Sequence, residues 1–315
     1  MQPRALGNSG ISVSPLAFGG NVFGWSADAA TSMRLLDRCV DLGIDLIDTA
    51  DMYSDWVPGH VGGESETIIG DWLKKSGKRD SVVIATKVAK LKSRPGLSPA
   101  NINAAVDDSL RRLRVERIDL YQAHEDDDSV PMEETLGAFS RLIEQGKVRA
   151  IGASNFTAER LAKALAISEK HNLPRYETLQ PGYNLMDRAD YEAELEPLIR
   201  KENVGVISYF SLAKGFLTGK YRSAADLSKS KARGGGVKGY LDDRGMRVLA
   251  QLDAVAERHG ATPAQVSLAW LMARPGITAP IASATSVEQL DDIAGAMSLE
   301  LSESDITALD EASAG

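Results

Sequence analysis

With 315 residues, 43% hydrophobic and 25% charged, the chain can bury one large core, and a single domain of this size is ordinary. A net charge of −8 and a pI near 5.2 argue against a nucleic-acid partner, whose binders show a basic face, and leave small anionic ligands open. The lone Cys39 excludes an internal disulfide, no apolar stretch approaches the ~20 residues of a membrane span, and no charged-then-apolar leader precedes the first strand signals, so a reducing cytoplasm is the expected location.

Arg4 to Ser14 carries Gly-Asn-Ser-Gly between two short extended runs and predicts a β-hairpin. The first core strand is expected at Leu16–Gly19, followed by an amphipathic helix with Met33, Leu36 and Val40 on one face and Gly43 as its stop. A second strand near Leu46–Asp48 leads to a helix carrying Ile68, Ile69, Trp72 and Leu73. A third covers Val82–Lys87, and Ser98-Pro99 opens the next helix as cap and first-turn proline. Strands four and five are Ile118–His124 and Val148–Ser154, separated by a helix with Met132, Leu136, Phe139 and Ile143.

A helix from about Thr157 to Lys170 follows. The sixth strand lies near Glu177–Pro181, and its helix should bury Tyr191, Leu195 and Leu198. The seventh strand is Val204–Tyr209. The excursion Ser211–Tyr240 interrupts the alternation before a helix at Met246–His259. Thr262-Pro263-Ala264-Gln265 and Ser286-Val287-Glu288-Gln289 both read as capping-box starts, on either side of an eighth strand at Ile277–Ala282, and Ser302 starts a last helix. Eight strands alternating with helices predict a single (β/α)8 TIM barrel with an N-terminal hairpin and an appended C-terminal helix. The competing doubly wound sheet announces its dinucleotide site with Gly-x-Gly-x-x-Gly, a spacing that Phe18-Gly19-Gly20-Asn21-Val22-Phe23-Gly24 does not supply.

In such a barrel the C-terminal ends of all strands meet on one face. Asp48, Lys87 and His124 end three successive strands, and Tyr53 lies in the loop after the second, so four titratable groups should share one pocket. A phenol with an ordinary pKa near 10 is a weak acid at neutral pH. An ammonium about 4 Å away at an effective dielectric of ~20 contributes on the order of 4 kcal/mol, enough to bring Tyr53 toward neutrality. Lys87 needs its own counterion when buried, and Asp48 can provide it; His124 can orient a substrate carbonyl.

Taken singly, a strand-end Asp commonly caps a loop and a strand-end Lys is commonly solvated; their coincidence is what points to chemistry. Glu125-Asp126-Asp127-Asp128 reads as a solvated loop, His171 and His259 as helix-end contacts and Cys39 as core, while Phe23, Trp25 and Trp56 could wall a substrate pocket.

The stretches Gly43 to Tyr53, Thr86-Lys87, Asp119 to His124, Ile151 to Phe156 and Tyr209 to Tyr221 together resemble the aldo-keto reductase family across essentially the whole chain. The resemblance puts the family's catalytic tetrad on Asp48, Tyr53, Lys87 and His124. It implies a nicotinamide cofactor that gives hydride to an aldehyde or ketone while the tyrosine protonates the oxygen. It further implies cofactor contacts from Gly20, Asn21, Asp48, Ser154, Asn155, Gln180, Tyr209, Ser211, Leu212, Lys220, Arg233, Ser283, Thr285, Gln289 and Asp292. The adenosine segment Ala282 to Ile293 departs from the family pattern: it has no Lys or Arg for a 2′-phosphate and Asp292-Ile293 where Glu-Asn is expected. Lys231 or Arg233 from the excursion could supply the charge, and NADP remains the expected cofactor over NAD.

The expected partner is therefore a small carbonyl or alcohol, with no nucleic acid and no membrane, and with oligomeric state open. Two other functions fit parts of the pattern. One is a nucleotide-binding redox sensor on the same fold; the other is a metal-assisted hydrolase or isomerase using Asp48, Asp51, Glu64 and His124. No His-rich metal centre is expected, because His124 alone stands at a strand end.

Overall fold

The computed structural model describes residues 2–229 and 234–314. The hairpin pairs β1 (Arg4–Ala5) with β2 (Ser12–Val13) antiparallel, through a turn in which Gly7 and Gly10 take positive φ. Eight parallel strands follow: β3 (Ala17–Gly19), β4 (Leu46–Asp48), β5 (Val83–Val88), β6 (Ile118–Ala123), β7 (Val148–Ser154), β8 (Tyr176–Gln180), β9 (Gly205–Val206) and β10 (Ile281–Ala282). They pair in chain order and β10 returns to β3. A bridge between Val206 and Ile277 joins β9 to the segment entering β10, so the sheet closes as the (β/α)8 barrel that the alternation predicts.

The last two strands are shorter than expected for a local reason. Thr278 and Ala279 both donate to the Val206 carbonyl, at 2.8 and 3.1 Å, so two residues oppose one, and Pro280, which has no N–H, comes next. The helix after β8 also differs: a single π-turn at Tyr191–Leu195 leads into α6 (Glu196–Glu202). Tyr191 and Ile199 are fully buried there, while Leu195 and Leu198 are only partly so.

The other helices are α1 (Ala29–Asp41), α2 (Glu64–Ser76), α3 (Pro99–Leu113), α4 (Met132–Glu144), α5 (Ala158–His171), the short α7 (Gly234–Val237), α8 (Asp243–His259), α9 (Pro263–Ala273), α10 (Val287–Ala294) and α11 (Glu303–Ser313). Side chains of Asp28, Ser98, Thr157, Asp242, Thr262, Ser286 and Ser302 accept the first-turn N–H groups of the helices they precede, which is why the helices start there. Thr262 and Gln265 form the full reciprocal box. At Ser286 the box is incomplete, because the Gln289 side chain accepts from Thr285 N and Oγ1 instead, at 2.9 and 3.0 Å.

Strand alternation sorts the side chains into two cores. Leu46, Ala85, Leu120, Ala150, Ile207 and Ala279 face the lumen, where Leu6, Ile11 and Val13 of the hairpin plug its N-terminal end. Ile47, Ile84, Tyr121, Ile151 and Leu179 face outward onto Leu35, Trp72, Val106, Phe139 and Leu268 of the helices. Each such side chain contributes about 1.5–3 kcal/mol on burial. With one end stopped by apolar residues, the lumen turns polar at the other: two positions beyond Leu46, Ala85 and Leu120 stand the buried Asp48 and Lys87 of β4 and β5 and Gln122 of β6, joined by Gln180 of β8.

Candidate active site

Five polar side chains at the mouth meet around one ammonium and its counterion. Lys87 Nζ donates to Asp48 Oδ2 at 2.7 Å, to the Thr49 carbonyl at 2.8 Å and to the Tyr53 hydroxyl at 3.0 Å. The Tyr53 hydroxyl itself lies 3.4 Å from Asp48 Oδ2. The second carboxylate oxygen, Asp48 Oδ1, accepts from Gln180 Nε2 at 2.9 Å and from Gln122 Nε2 at 3.4 Å. Lys87 is 0% and Asp48 1% exposed, so this is a fully desolvated ion pair, tolerable because nearly every donor and acceptor has a partner. Sequence reasoning missed Gln122, although it stands two residues before His124 and therefore on the same strand face.

His124 follows β6 directly, its N–H on the Val88 carbonyl at 2.8 Å, and its ring meets Tyr53 edge-on with centroids 6.1 Å apart. Its Nδ1 is buried with no hydrogen-bond partner. Burial, then the positive charges of Lys87 and Lys90, push the imidazole well below its ordinary pKa, so it is neutral at pH 7. Burial pulls Lys87 down, but Asp48 and Tyr53 outweigh it and hold the ammonium above its usual value.

The phenol departs from expectation. Burial drives Tyr53 up to about 12; Lys87 pulls it down, and Asp48 pushes it up again. The expected approach to neutrality fails first because the phenol is buried, and further because the ammonium is already paired: the phenol meets a dipole, Lys87 with Asp48, where the sequence suggested a free charge. Tyr53 is thus a neutral phenol across the physiological range, a proton donor held beside a cation that can stabilise its anion.

Around the mouth, Trp56 packs edge-on to Tyr53 at 6.1 Å and Trp25 edge-on to Trp56 at 5.5 Å, extending an aromatic wall outward from the phenol. Phe23, expected in the same wall, is fully buried against Phe18 in the core. The acidic run is not simply solvated: Glu125 pairs with Lys90, Asp126 with Arg160, and Asp127 accepts from Leu97 N, while Asp128, 86% exposed, reaches Arg160 at 3.2 Å.

The alternative metal-ligand set is split. Asp48 faces the lumen, Asp51 turns to the helix side, and Glu64 accepts from Val61 N and Gly62 N. Among the described residues no group of three or more His, Cys, Asp and Glu could hold a metal ion.

Residues 15–314 match the model of the Aldo/keto reductase family. The chain belongs to the aldo/keto reductase family. It is 36% identical over 311 residues to the uncharacterized oxidoreductase YrpG of Bacillus subtilis, covering 96% of this chain and 92% of that protein. Aldo-keto reductase YhdN of Bacillus subtilis is 34% identical over 304 residues, with 92% and 87% covered. A candidate voltage-gated potassium channel subunit beta of Schizosaccharomyces pombe is 35% identical over 300 residues, with 91% and 85% covered. The family is one of NAD(P)H-dependent oxidoreductases acting on small molecules. No described helix of this aldo/keto reductase is long and apolar enough to cross a membrane.

The groups expected to hold the nicotinamide form one connected polar set beside the tetrad. Ser154 Oγ donates to the Gln180 carbonyl at 2.9 Å, Asn155 Nδ2 to the His124 carbonyl at 2.9 Å and to Ser154 Oγ at 3.1 Å, and the Tyr209 hydroxyl to Asn155 Oδ1 at 2.8 Å. Asn155 takes φ 58°, which turns its amide back across the β6 and β7 ends. A flat ring ringed by hydroxyls and amides suits this set, and the half-buried Tyr209 offers a face; the residues fit a nicotinamide.

Toward β9, the Ser211 hydroxyl is spent on the Ser208 carbonyl at 3.1 Å. Positive φ at Phe210, Ala213, Lys214 and Gly215 winds the segment tightly, with Leu212 half-buried inside it. Lys220 Nζ stands 5.1 Å from the Tyr221 ring centre. Near β3 and β10, Ser283 Oγ bonds Gly19 O and Asn21 Oδ1, both at 2.8 Å. Gly20 lies so close under Ser65 and the Asp48 carbonyl that a Cβ there would sit at 3.0–3.1 Å from both. Thr285 and Gln289 bond each other. Asp292 is the exception: its Oδ1 accepts from Thr262 Oγ1 at 2.9 Å and Gln265 Nε2 at 3.1 Å, which commits it to the start of α9. Arg233 and Lys231 lie outside the described residues.

Proposed function

We propose that this aldo/keto reductase reversibly reduces an aldehyde or ketone to the alcohol, with NADPH preferred over NADH and Tyr53 as the proton donor. The observation that carries the reading is the reach of one ammonium, Lys87 Nζ, to both Asp48 and the Tyr53 hydroxyl at the open end of the barrel. When bound, the nicotinamide supplies hydride to the carbonyl carbon. Ser154, Asn155, Gln180 and Tyr209 would hold its carboxamide and ring, Ser211, Leu212 and Lys220 its pyrophosphate, and Gly20, Asn21, Ser283, Thr285, Gln289 and Arg233 the adenosine side.

The proton follows from the electrostatics. An alkoxide is a stronger base than a phenolate even when the phenol lies near 12, so the oxygen that gains negative charge takes the proton from Tyr53. Lys87 then stabilises the phenolate left behind, and Asp48 keeps the lysine aimed. His124, neutral, has one N–H to donate to the substrate oxygen and no charge to repel the cation beside it.

The test is nucleotide oxidation across a panel of aliphatic and aromatic aldehydes and ketones, run in parallel with NADPH and NADH. Turnover with NADPH at lower KM than with NADH is the expected result. Tight nucleotide binding without turnover of any carbonyl would overturn the reading in favour of a nucleotide sensor, and activity that disappears on chelation would overturn it in favour of metal chemistry.

A further inference from the structure

The most anomalous group near the site takes no part in the chemistry above. Asp51 is 1% exposed, and neither of its carboxylate oxygens has a hydrogen-bond partner. It belongs to the turn between Asp48 and Tyr53, the four-residue connection Thr49 to Met52 that decides where the phenol stands. Thr49 N continues the ladder onto Ala85 O at 2.8 Å, and alternation sends Thr49 and Asp51 outward, toward α2 and α3, while Asp48 points into the lumen. The bonds that flank Asp51 are long: its N–H reaches Lys87 O at 3.2 Å, and Tyr53 N reaches Ala50 O at 3.3 Å. Gly62, at φ 94°, closes over it so tightly that a Cβ there would meet Leu91 Cδ1 at 2.6 Å and the Asp51 carbonyl at 3.0 Å.

The charged groups facing this carboxyl come from every element around it: Glu66 on α2, Arg112 on α3, Arg94 after β5, Lys87 on β5, and the Tyr121 hydroxyl of β6, which is itself buried without a partner. Glu66 takes two of the donors there, Arg112 Nε at 2.6 Å and Thr86 Oγ1 at 2.5 Å. Two side chains there have unpaired donors, the Tyr121 hydroxyl and Arg94 Nε, but neither bonds Asp51; a second carboxylate would be buried beside the first without a hydrogen bond, and a buried carboxyl so placed keeps its proton. Burial, then Glu66, lift Asp51 to about 7, against the pull of Arg112, Arg94 and Lys87.

We propose that Asp51 is a positioning residue that stands beneath the Asp48–Tyr53 turn as the neutral acid, and that its ionisation releases the turn and withdraws the phenol of Tyr53 from Lys87. An ionised Asp51 must move toward Arg94, Arg112, the Tyr121 hydroxyl or water to find donors, and the two long bonds beside it are the ones that yield. The activity part of this inference rests on the reductase reading; the conformational part does not.

The reporter is built in, because Trp56 packs edge-on against Tyr53. Fluorine NMR of fluorotryptophan-labelled protein, without nucleotide or substrate, follows Trp56 through a pH titration beside the three other tryptophans, Trp25, Trp72 and Trp270. The wild type is expected to show a Trp56 transition with a midpoint near 7. Asp51→Asn, which mimics the neutral acid, should abolish it, and His60→Gln, which removes the imidazole of the same loop, should keep it. In turnover assays Asp51→Asn should hold its kcat on the alkaline side of neutrality, where the wild type loses most of its own.

A wild type without a transition between about pH 6 and 8 overturns the proposal even if the variant does not fold, and so does an unchanged midpoint in Asp51→Asn. A transition that vanishes in Asp51→Asn, in a protein that turns over no carbonyl, upholds the switch and rejects the reductase.

Discussion

The barrel mouth and the C-terminal helix both gather carboxylates, cations and aromatic rings, yet they treat charge in opposite ways. At α11 the carboxylates of Asp305 and Asp310 are both answered. Asp305 accepts from Arg258, His259 Nε2 at 2.8 Å and Ser302 Oγ at 2.7 Å; Asp310 accepts from Trp270 Nε1 at 2.9 Å and Arg274 at 2.9 Å, with Arg188 at 3.1 Å. Burial would raise Asp305, but those donors outweigh it and hold the carboxyl far below its usual range, the mark of a group the fold stabilises. At the mouth the shifts run against the charged or reactive form: Tyr53 up, His124 down, Asp51 up, with Asp51 and His124 Nδ1 left unpartnered. Answered charge fastens helices. Unanswered charge, kept in place by surrounding structure, is a capacity to react.

The contrast can be broken first where the two behaviours overlap. Lys87 is both a buried structural cation and the neighbour of the proposed proton donor, so Lys87→Met should cost about 3–5 kcal/mol of stability, by stranding Asp48, and remove turnover as well. Chemical denaturation and kcat/KM on the same preparation check it; a stable, active variant would erase the distinction drawn above. Tyr53→Phe separates the two effects. Its hydroxyl is a secondary partner of an ammonium that keeps Asp48 and the Thr49 carbonyl, so Tm should stay near wild type while kcat falls about 10²–10⁴-fold.

Much of this was legible in the chain. Eight strands could be counted because each is a short apolar run and helices, several opened by their own cap, separate them, and Asp48, Lys87 and His124 were recognisable because strand ends of a parallel barrel share one face. What escaped was everything set by the far side of the barrel. The direction of the Tyr53 shift depends on how dry the site is and on Asp48 spending the charge of Lys87, neither of which is local. Phe23 reads as a loop aromatic until the chain folds it onto Phe18. Gln122 was readable from two-residue alternation alone. At Asp292 a contact invisible to local reading, the helix cap across 30 residues from α9 to α10, competes with ligand binding for the same oxygen.

The structural end of the comparison gives smaller effects with a definite pH signature. Asp305→Asn should cost roughly 1–2 kcal/mol, the half-exposed Arg258 being partly screened by salt. The sign is fixed by the depressed carboxyl. Its contribution is complete above the unfolded-state value of about 3.9 and is lost as pH falls below it, so the Tm gap between wild type and variant should be full at neutral pH and close in acid. A gap that widened in acid would mean that Asp305 is not the answered charge described here.

Asp292 offers the finest test, because resemblance assigns it to the cofactor and geometry assigns it to the fold. Its Oδ1 accepts from Thr262 Oγ1 and Gln265 Nε2, the two residues of the capping box at the start of α9. Removing it leaves those donors to water and loosens a cap worth about 1 kcal/mol. Asp292→Ala is therefore expected to lower stability by about that amount and to leave KM for NADPH and NADH unchanged. Should the nucleotide KM rise several-fold with Tm intact, the carboxylate would belong with the unanswered groups of the mouth, and the boundary between the two kinds of charge would run through α10 instead of ahead of it.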